Sequence, residues 1–202
     1  MRFIIGFLLA WSLLISPVAF AAEEVDFSCR GLYLGDSAEK MEEIWGRSLY
    51  DKEVSVLGIA VTYYYFGNGY EIGVARRTGQ VVDIKIEDKK YKGRDNIKYG
   101  ATFHKIQKTY GQQKKEMLDG EIFYIYPRPG NAKDRLLVKV DTEKGALLSW
   151  RITSLPLTPE EADEMVADEW EEEWTEDEEI TWHFDDTYGH RPADNGVSGR
   201  QR

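Results

Sequence analysis

Cysteine is almost absent from this chain: Cys29 is the single one in 202 residues. One thiol cannot close an internal disulfide, so the fold has to stand on its core alone. Val25-Asp26-Phe27-Ser28 before it is not the apolar and small pattern that lipoprotein processing needs. Cys29 is therefore read as a small half-buried residue, with an intermolecular disulfide as the other role. Histidine is nearly as scarce, with only His104, His183 and His190. No Gly-x-Ser-x-Gly and no His-Glu-x-x-His is present, nor is any cysteine supported by a histidine partner. Gly67 to Gly73 is glycine-rich, but it joins two strands and lacks the helix N-terminus that would hold a phosphate. No catalytic residues and no cofactor are implied, and the chain is not read as an enzyme.

Long apolar runs are missing after the first residues. Arg2, the run Phe3 to Ile15 and the small-x-small site Ala19-Phe20-Ala21 are read as a signal peptide over 1–21. The run falls short of the roughly 20 residues that a membrane-spanning helix needs. The expectation is an exported protein, periplasmic or secreted, with no membrane span after cleavage.

A basic surface is missing too. The net charge is -10, yet Thr158 to Arg202 holds 16 Asp and Glu against Arg191, Arg200 and Arg202. The protein is thus a near-neutral domain with an acidic tail. That balance argues against nucleic acid, whose phosphates call for a basic surface, and the tail would be repelled by anionic lipid.

What is present is a period. Gly35-Asp36-Ser37 opens a segment marked by Ala38, Met41 and Trp45 and closed by Gly46, and 65 residues later Gly100-Ala101-Thr102 opens another marked by Phe103, Ile106 and Tyr110 and closed by Gly111. The spacing predicts two short helices, capped by Asp36 or Ser37 and by Thr102, each ending on glycine. After the first, Thr62 to Phe66, the turn Asn68-Gly69, Tyr70-Ile72-Val74, and Val82-Ile84-Ile86 predict a three-stranded meander. After the second, Ile122 to Tyr126, Leu136-Val138-Val140 and Ala146-Leu148-Trp150-Ile152 predict another, with Pro127 to Gly130 extending its first turn. The fold class expected is α+β: two tandem helix-plus-antiparallel-meander units, about 30–92 and 93–157, forming a helix-backed sheet over 22–157, followed by an acidic aromatic tail over 158–202.

These residues carry a resemblance. Leu32-x-Leu34-Gly35-Asp36-Ser37, Trp45-Gly46, Tyr63-Tyr64-Tyr65 and Gly79-x-Val81-Val82-x-Ile84 match one unit. Ile97-x-Tyr99-Gly100-Ala101-Thr102, Tyr110-Gly111, Phe123-Tyr124 and Gly145 to Ile152 match a second. The pattern resembles the unit of the SmpA/OmlA (BamE-like) and beta-lactamase-inhibitor-protein-like (BLIP-like) superfamily. The resemblance implies a sheet used to bind other proteins, without catalysis. The chain departs from it in lacking both the lipidated cysteine of the first group and the disulfides of the second.

Aromatic residues supply the candidate binding surface. Tyr63, Tyr65, Tyr124 and Tyr126 lie on predicted strands, and Trp170, Trp174 and Trp182 lie in the tail, where Thr158 and Pro159 predict a helix start. The tail is expected to be partly disordered, with Gly189 onward wholly so, and its tryptophans to dock on its own domain or on a cationic partner. His183, Asp185 and His190 are the candidate metal ligands, without the rigid support that a structural site requires. The leading expectation is an exported, non-enzymatic protein-binding or inhibitory protein. The runner-up is a small-ligand or metal-binding envelope protein. Partner identity and oligomeric state stay open.

Overall fold

The computed structural model describes residues 22–165. The chain enters through a 3-10 turn, Glu24–Phe27, and a small hairpin of strands β1 (Ser28–Cys29) and β2 (Leu32–Tyr33). Helix α1, Ala38–Trp45, begins where Ser37 is extended and its hydroxyl accepts the Lys40 amide at 3.3 Å. That bond satisfies a first-turn amide with no partner inside the helix. Asp36 has a different task, accepting the Tyr33 amide at 2.8 Å and pairing with Lys40 at 2.8 Å. Helix α2, Phe103–Tyr110, follows Thr102, which takes the cap position without a side-chain capping bond. Both helices end on a glycine in positive φ, 74° at Gly46 and 98° at Gly111, a conformation that strains residues with a Cβ.

Each helix is followed by four antiparallel strands. After α1 come β3 (Tyr50–Val56), β4 (Ile59–Phe66), β5 (Tyr70–Ala75) and β6 (Val81–Ile86); after α2 come β7 (Lys115–Leu118), β8 (Glu121–Arg128), β9 (Asn131–Val140) and β10 (Leu147–Thr153). One eight-stranded sheet holds them in the order β3-β4-β5-β6-β10-β9-β8-β7. The last strands of the two meanders therefore pair at its centre, with Trp150 opposite Ile86 and Arg151 opposite Lys85. The same backbone bonds recur in both halves. Gly35 donates to the Val81 carbonyl and Val81 to that of Asp36, both at 2.8 Å, while Gly100 donates to the Leu147 carbonyl at 2.8 Å and Leu147 to that of Ala101 at 2.9 Å.

Two expectations are corrected. The meanders have four strands, not three, because β3 and β7 are edge strands whose charged residues Asp51-Lys52-Glu53 and Lys115-Glu116 do not read as a strand. Charge on an edge is also what deters pairing with another chain. Secondly, the inward residues are Val81 and Leu147, both fully buried, where strict alternation had pointed Val82 and Leu148 inward. A register irregularity sits at each place and shifts the alternation by one residue.

The core lies on the helix side of the sheet. Met41, Ile106 and Tyr110 from the helices meet Tyr70, Ile72, Ile84, Ile86, Tyr124, Tyr126, Leu136, Val138, Trp150 and Ile152 from the strands. Trp45 places α1 over β4 and β5, with ring centroids 5.4 Å from Phe66 and 5.0 Å from Tyr70. Phe103 and Tyr110 place α2 over β8, 5.7 Å from Tyr124 and 5.5 Å from Tyr126. Cys29 is buried in this cluster as a free thiol, more deeply than expected, and burial pushes its pKa up to about 12. The described residues contain no helix long and apolar enough to cross a membrane.

Candidate functional site

The other side of the sheet is built differently. Alternation sends Val61, Tyr63 and Tyr65 of β4 outward, opposite Ala75, Gly73 and Glu71 of β5. Val61, Tyr63 and Leu155 form a small buried apolar cluster there, with Val54, Val56, Ile59, Tyr65 and Val82 packed against it. Gly73 fits because nothing larger would: a Cβ on it would meet the Tyr63 ring at 2.9 Å, Val61 at 3.0 Å and Asp83 at 3.1 Å.

A polar group fills the middle of this outer face, across the junction of β6 and β10. Asp83, with no exposed surface, accepts the Tyr63 hydroxyl at 2.6 Å and the Arg151 Nε at 2.8 Å. A buried carboxylate needs such partners, since its desolvation is otherwise uncompensated. Burial first, and then the Asp83 charge, hold the Tyr63 hydroxyl protonated far above the usual tyrosine range. Burial works against the Arg151 charge, but the attraction of Asp83 outweighs it and the guanidinium's pKa is raised. Lys85 lies 4.3 Å above the Tyr63 ring and 3.3 Å from Glu71.

Towards the β3 edge the face is open. Tyr50 is 58 % exposed and its ring stacks on that of Tyr65, with centroids 4.4 Å apart and planes 17° from parallel. The register explains the pair, since Tyr50 and Tyr65 are direct cross-strand partners. Leu49, 73 % exposed, adjoins them in sequence.

The chain leaves β10 across this same face. Leu155 packs on Val61 and Tyr63, and Arg135 of β9 donates to the Leu155 carbonyl at 2.8 Å and to the Glu161 carboxylate at 2.7 Å. The Thr158 hydroxyl accepts the Glu161 amide at 3.3 Å and so caps a helical stretch that begins at residue 159. Burial acts against the Glu161 charge, but the Leu157 amide and Arg135 outweigh it and hold its pKa below the usual glutamate value.

Of the candidate binding residues, Tyr63 and Tyr65 thus share the outer face, but Tyr63 is buried under the Leu155 segment and only 3 % exposed. Tyr124 and Tyr126 are corrected: at 1 % and 2 % exposure they belong to the helix-side core and offer no surface. Their outward neighbours are Phe123 and Ile125, because Tyr124 and Tyr126 face Val138 and Leu136 on the core side. Trp170, Trp174, Trp182, His183, Asp185 and His190 lie outside the described residues. His104 is exposed on α2, and the described residues hold no group of side chains that could bind a metal. The sequence reading missed Tyr50, whose strand it did not see, and the Asp83–Arg151 pair, whose members lie far apart in sequence.

No family model and no curated protein matches the chain. Among solved structures it is similar to an extracellular protein containing an SCP domain from Bacillus anthracis, at 15% identity and TM-score 0.46, over 69% of this chain and 53% of that one. It is also similar to a DUF4309 family protein from Bacillus subtilis, at 14% identity and TM-score 0.43, over 62% and 83% of the two chains. A third similarity is to a protein from Streptococcus mutans provisionally named a beta-lactamase inhibitor protein, at 14% identity and TM-score 0.27, over 68% and 92%. The chain spans about half the length of the first of these. At this level of similarity nothing known of those proteins passes to this one.

Proposed function

We propose that this is an exported, non-enzymatic protein that binds, or binds and inhibits, another protein through the outer face of its sheet. The observation that carries the reading is the stacked pair Tyr50 and Tyr65, which sits on an open sheet face beside Leu49 and the Lys85–Glu71 pair. Stacked tyrosines present a large, stiff, amphipathic surface at small entropic cost, as protein interfaces favour. The recurrence of helix and meander, with equivalent backbone bonds in both halves, supports a duplicated unit of the BLIP-like kind. The acidic residues of 166–202 supply the second contact, to a cationic patch on the partner. In this reading the N-terminal segment 1–21 is a signal peptide that delivers the protein to the periplasm or the exterior.

The test is affinity capture from an envelope extract and from culture medium with the tagged protein. Capture of one defined protein should be lost in Tyr50→Ser/Tyr65→Ser and weakened on removal of residues 166–202. It should persist in a His104→Ala control on the helix side. That truncation leaves Leu157 and Glu161 in place, because both take part in fastening the segment to Arg135. Capture unchanged by the tyrosine variant would sink the reading.

A further inference from the structure

The two helices leave the middle of the core side to thinner cover. With α1 over β4 and β5 and α2 over β8, the inward residues of the central strands meet the entering segment around Val25 to Gly31 and the connector Tyr91 to Arg94. These do not close on each other. They leave a half-open cavity of about 390 Å³, inside the range of roughly 300–1,000 Å³ that small-molecule sites occupy.

Its lining is partly apolar, from Ile86, Leu136 and Ile152, and partly aromatic, from Tyr91, Tyr110 and Trp150. Tyr91 meets Trp150 edge-on at 5.0 Å, and the Trp150 indole donates to the Tyr110 hydroxyl at 3.1 Å. Such preorganised aromatic walls lose little freedom when a ring enters.

The charges around it are unequal. Asp26 accepts the Glu23 amide at 2.8 Å and faces Arg94 at 3.4 Å, and Arg94 also pairs with Glu23 and donates to the Thr109 carbonyl. That cluster sets two carboxylates against one guanidinium and is left with an excess of one negative charge. Two further cations line the cavity, Arg30 and Lys92. Arg30 is held in place with its guanidinium 4.6 Å from both the Trp45 and Tyr70 ring centres, and neither contact removes its charge.

We propose that this cavity binds a small aromatic carboxylate, its ring against Tyr91 and Trp150 and its carboxylate toward Arg30 and Lys92. The site lies on the opposite side of the sheet from Tyr50 and Tyr65, so it stands or falls independently of the protein-binding face.

The experiment titrates the full exported chain with phenylacetate, benzyl alcohol and phenethylamine, which carry one ring with a negative, neutral and positive substituent. The readout is the Trp150 indole N–H resonance, assigned with Trp150→Phe. Phenylacetate should shift it saturably, benzyl alcohol more weakly and phenethylamine not at all. Lys92→Glu should weaken phenylacetate by about tenfold, and raised salt should weaken phenylacetate but not benzyl alcohol. The salt series uses the unaltered chain, so the proposal stays testable even if the variant misfolds. No saturable shift with phenylacetate, equal shifts with phenethylamine, or indifference to both Lys92→Glu and salt would overturn it.

Discussion

The helix side of the sheet and its outer side are made by the same strands, yet they bury different chemistry. On the helix side a continuous apolar cluster runs from Phe27 through both helices to Ile152. On the outer side a small patch around Val61 gives way to the Tyr63–Asp83–Arg151 group and then to exposed tyrosines. Apolar burial is non-directional and tolerates repacking, while a buried carboxylate tolerates no missing partner. The first side therefore serves as the scaffold, and the second holds one chemically demanding anchor beside a surface free to make contacts.

Single substitutions break this contrast in order of size. Tyr124→Ala on the helix side removes a buried ring and should lower unfolding stability by about 3–5 kcal/mol, read from chemical denaturation. Asp83→Ala on the outer side should cost about 3–4 kcal/mol despite removing few atoms, because Arg151 loses its carboxylate, and Asp83→Ala/Arg151→Met should recover part of the loss.

The two tyrosine hydroxyls sharpen the comparison further. Tyr63→Phe removes the donor to Asp83 and should cost about 1.5–3 kcal/mol, whereas the Tyr124 hydroxyl is buried with no hydrogen-bond partner among the described residues, so Tyr124→Phe should be neutral or stabilising by up to about 1 kcal/mol. One chemical change then has opposite consequences on the two sides. Equal effects would erase the distinction.

The smallest effect expected is set by pH. The folded-state pKa of Glu161 is depressed, so its contribution is complete above the ordinary glutamate value of 4.5 and fades as pH falls through the folded value. Protection factors at the Leu157 and Glu161 amides, taken against the intrinsic exchange rate at each pH, should fall on acidification before those of the central strands, and Glu161→Gln should flatten this response. Cys29 should stay unreactive to thiol reagents at neutral pH until the protein unfolds, since its sulfur is buried.

Much of the scaffold was legible in the sequence. Helix periodicity and the closing glycines marked α1 and α2, because a short amphipathic helix must show its apolar stripe and its stop. The β4–β5 hairpin was legible through Asn68-Gly69, both of which adopt positive φ. Edge strands were not, since Asp51-Lys52-Glu53 has the composition of a loop and only pairing with β4 makes it a strand. The inward turn of Val81 and Leu147 was hidden for a related reason: an irregularity is a property of two strands, not of one. Of the proposed face, Tyr65 lies on the outer side, Tyr124 and Tyr126 lie in the helix-side core, and Tyr50 was missed with its strand. Asp83 and Arg151 come together only when the two meanders join, which no local pattern records.

The central claim is that contact with a partner is made by the outer face, and photo-crosslinking in the producing cell tests it most directly. With a benzophenone amino acid in place of Tyr50 or, separately, of His104 on α2, illumination should yield one discrete protein adduct from position 50 and none from position 104. Adducts from position 104 alone, or none from position 50 in a folded and exported protein, would contradict the account.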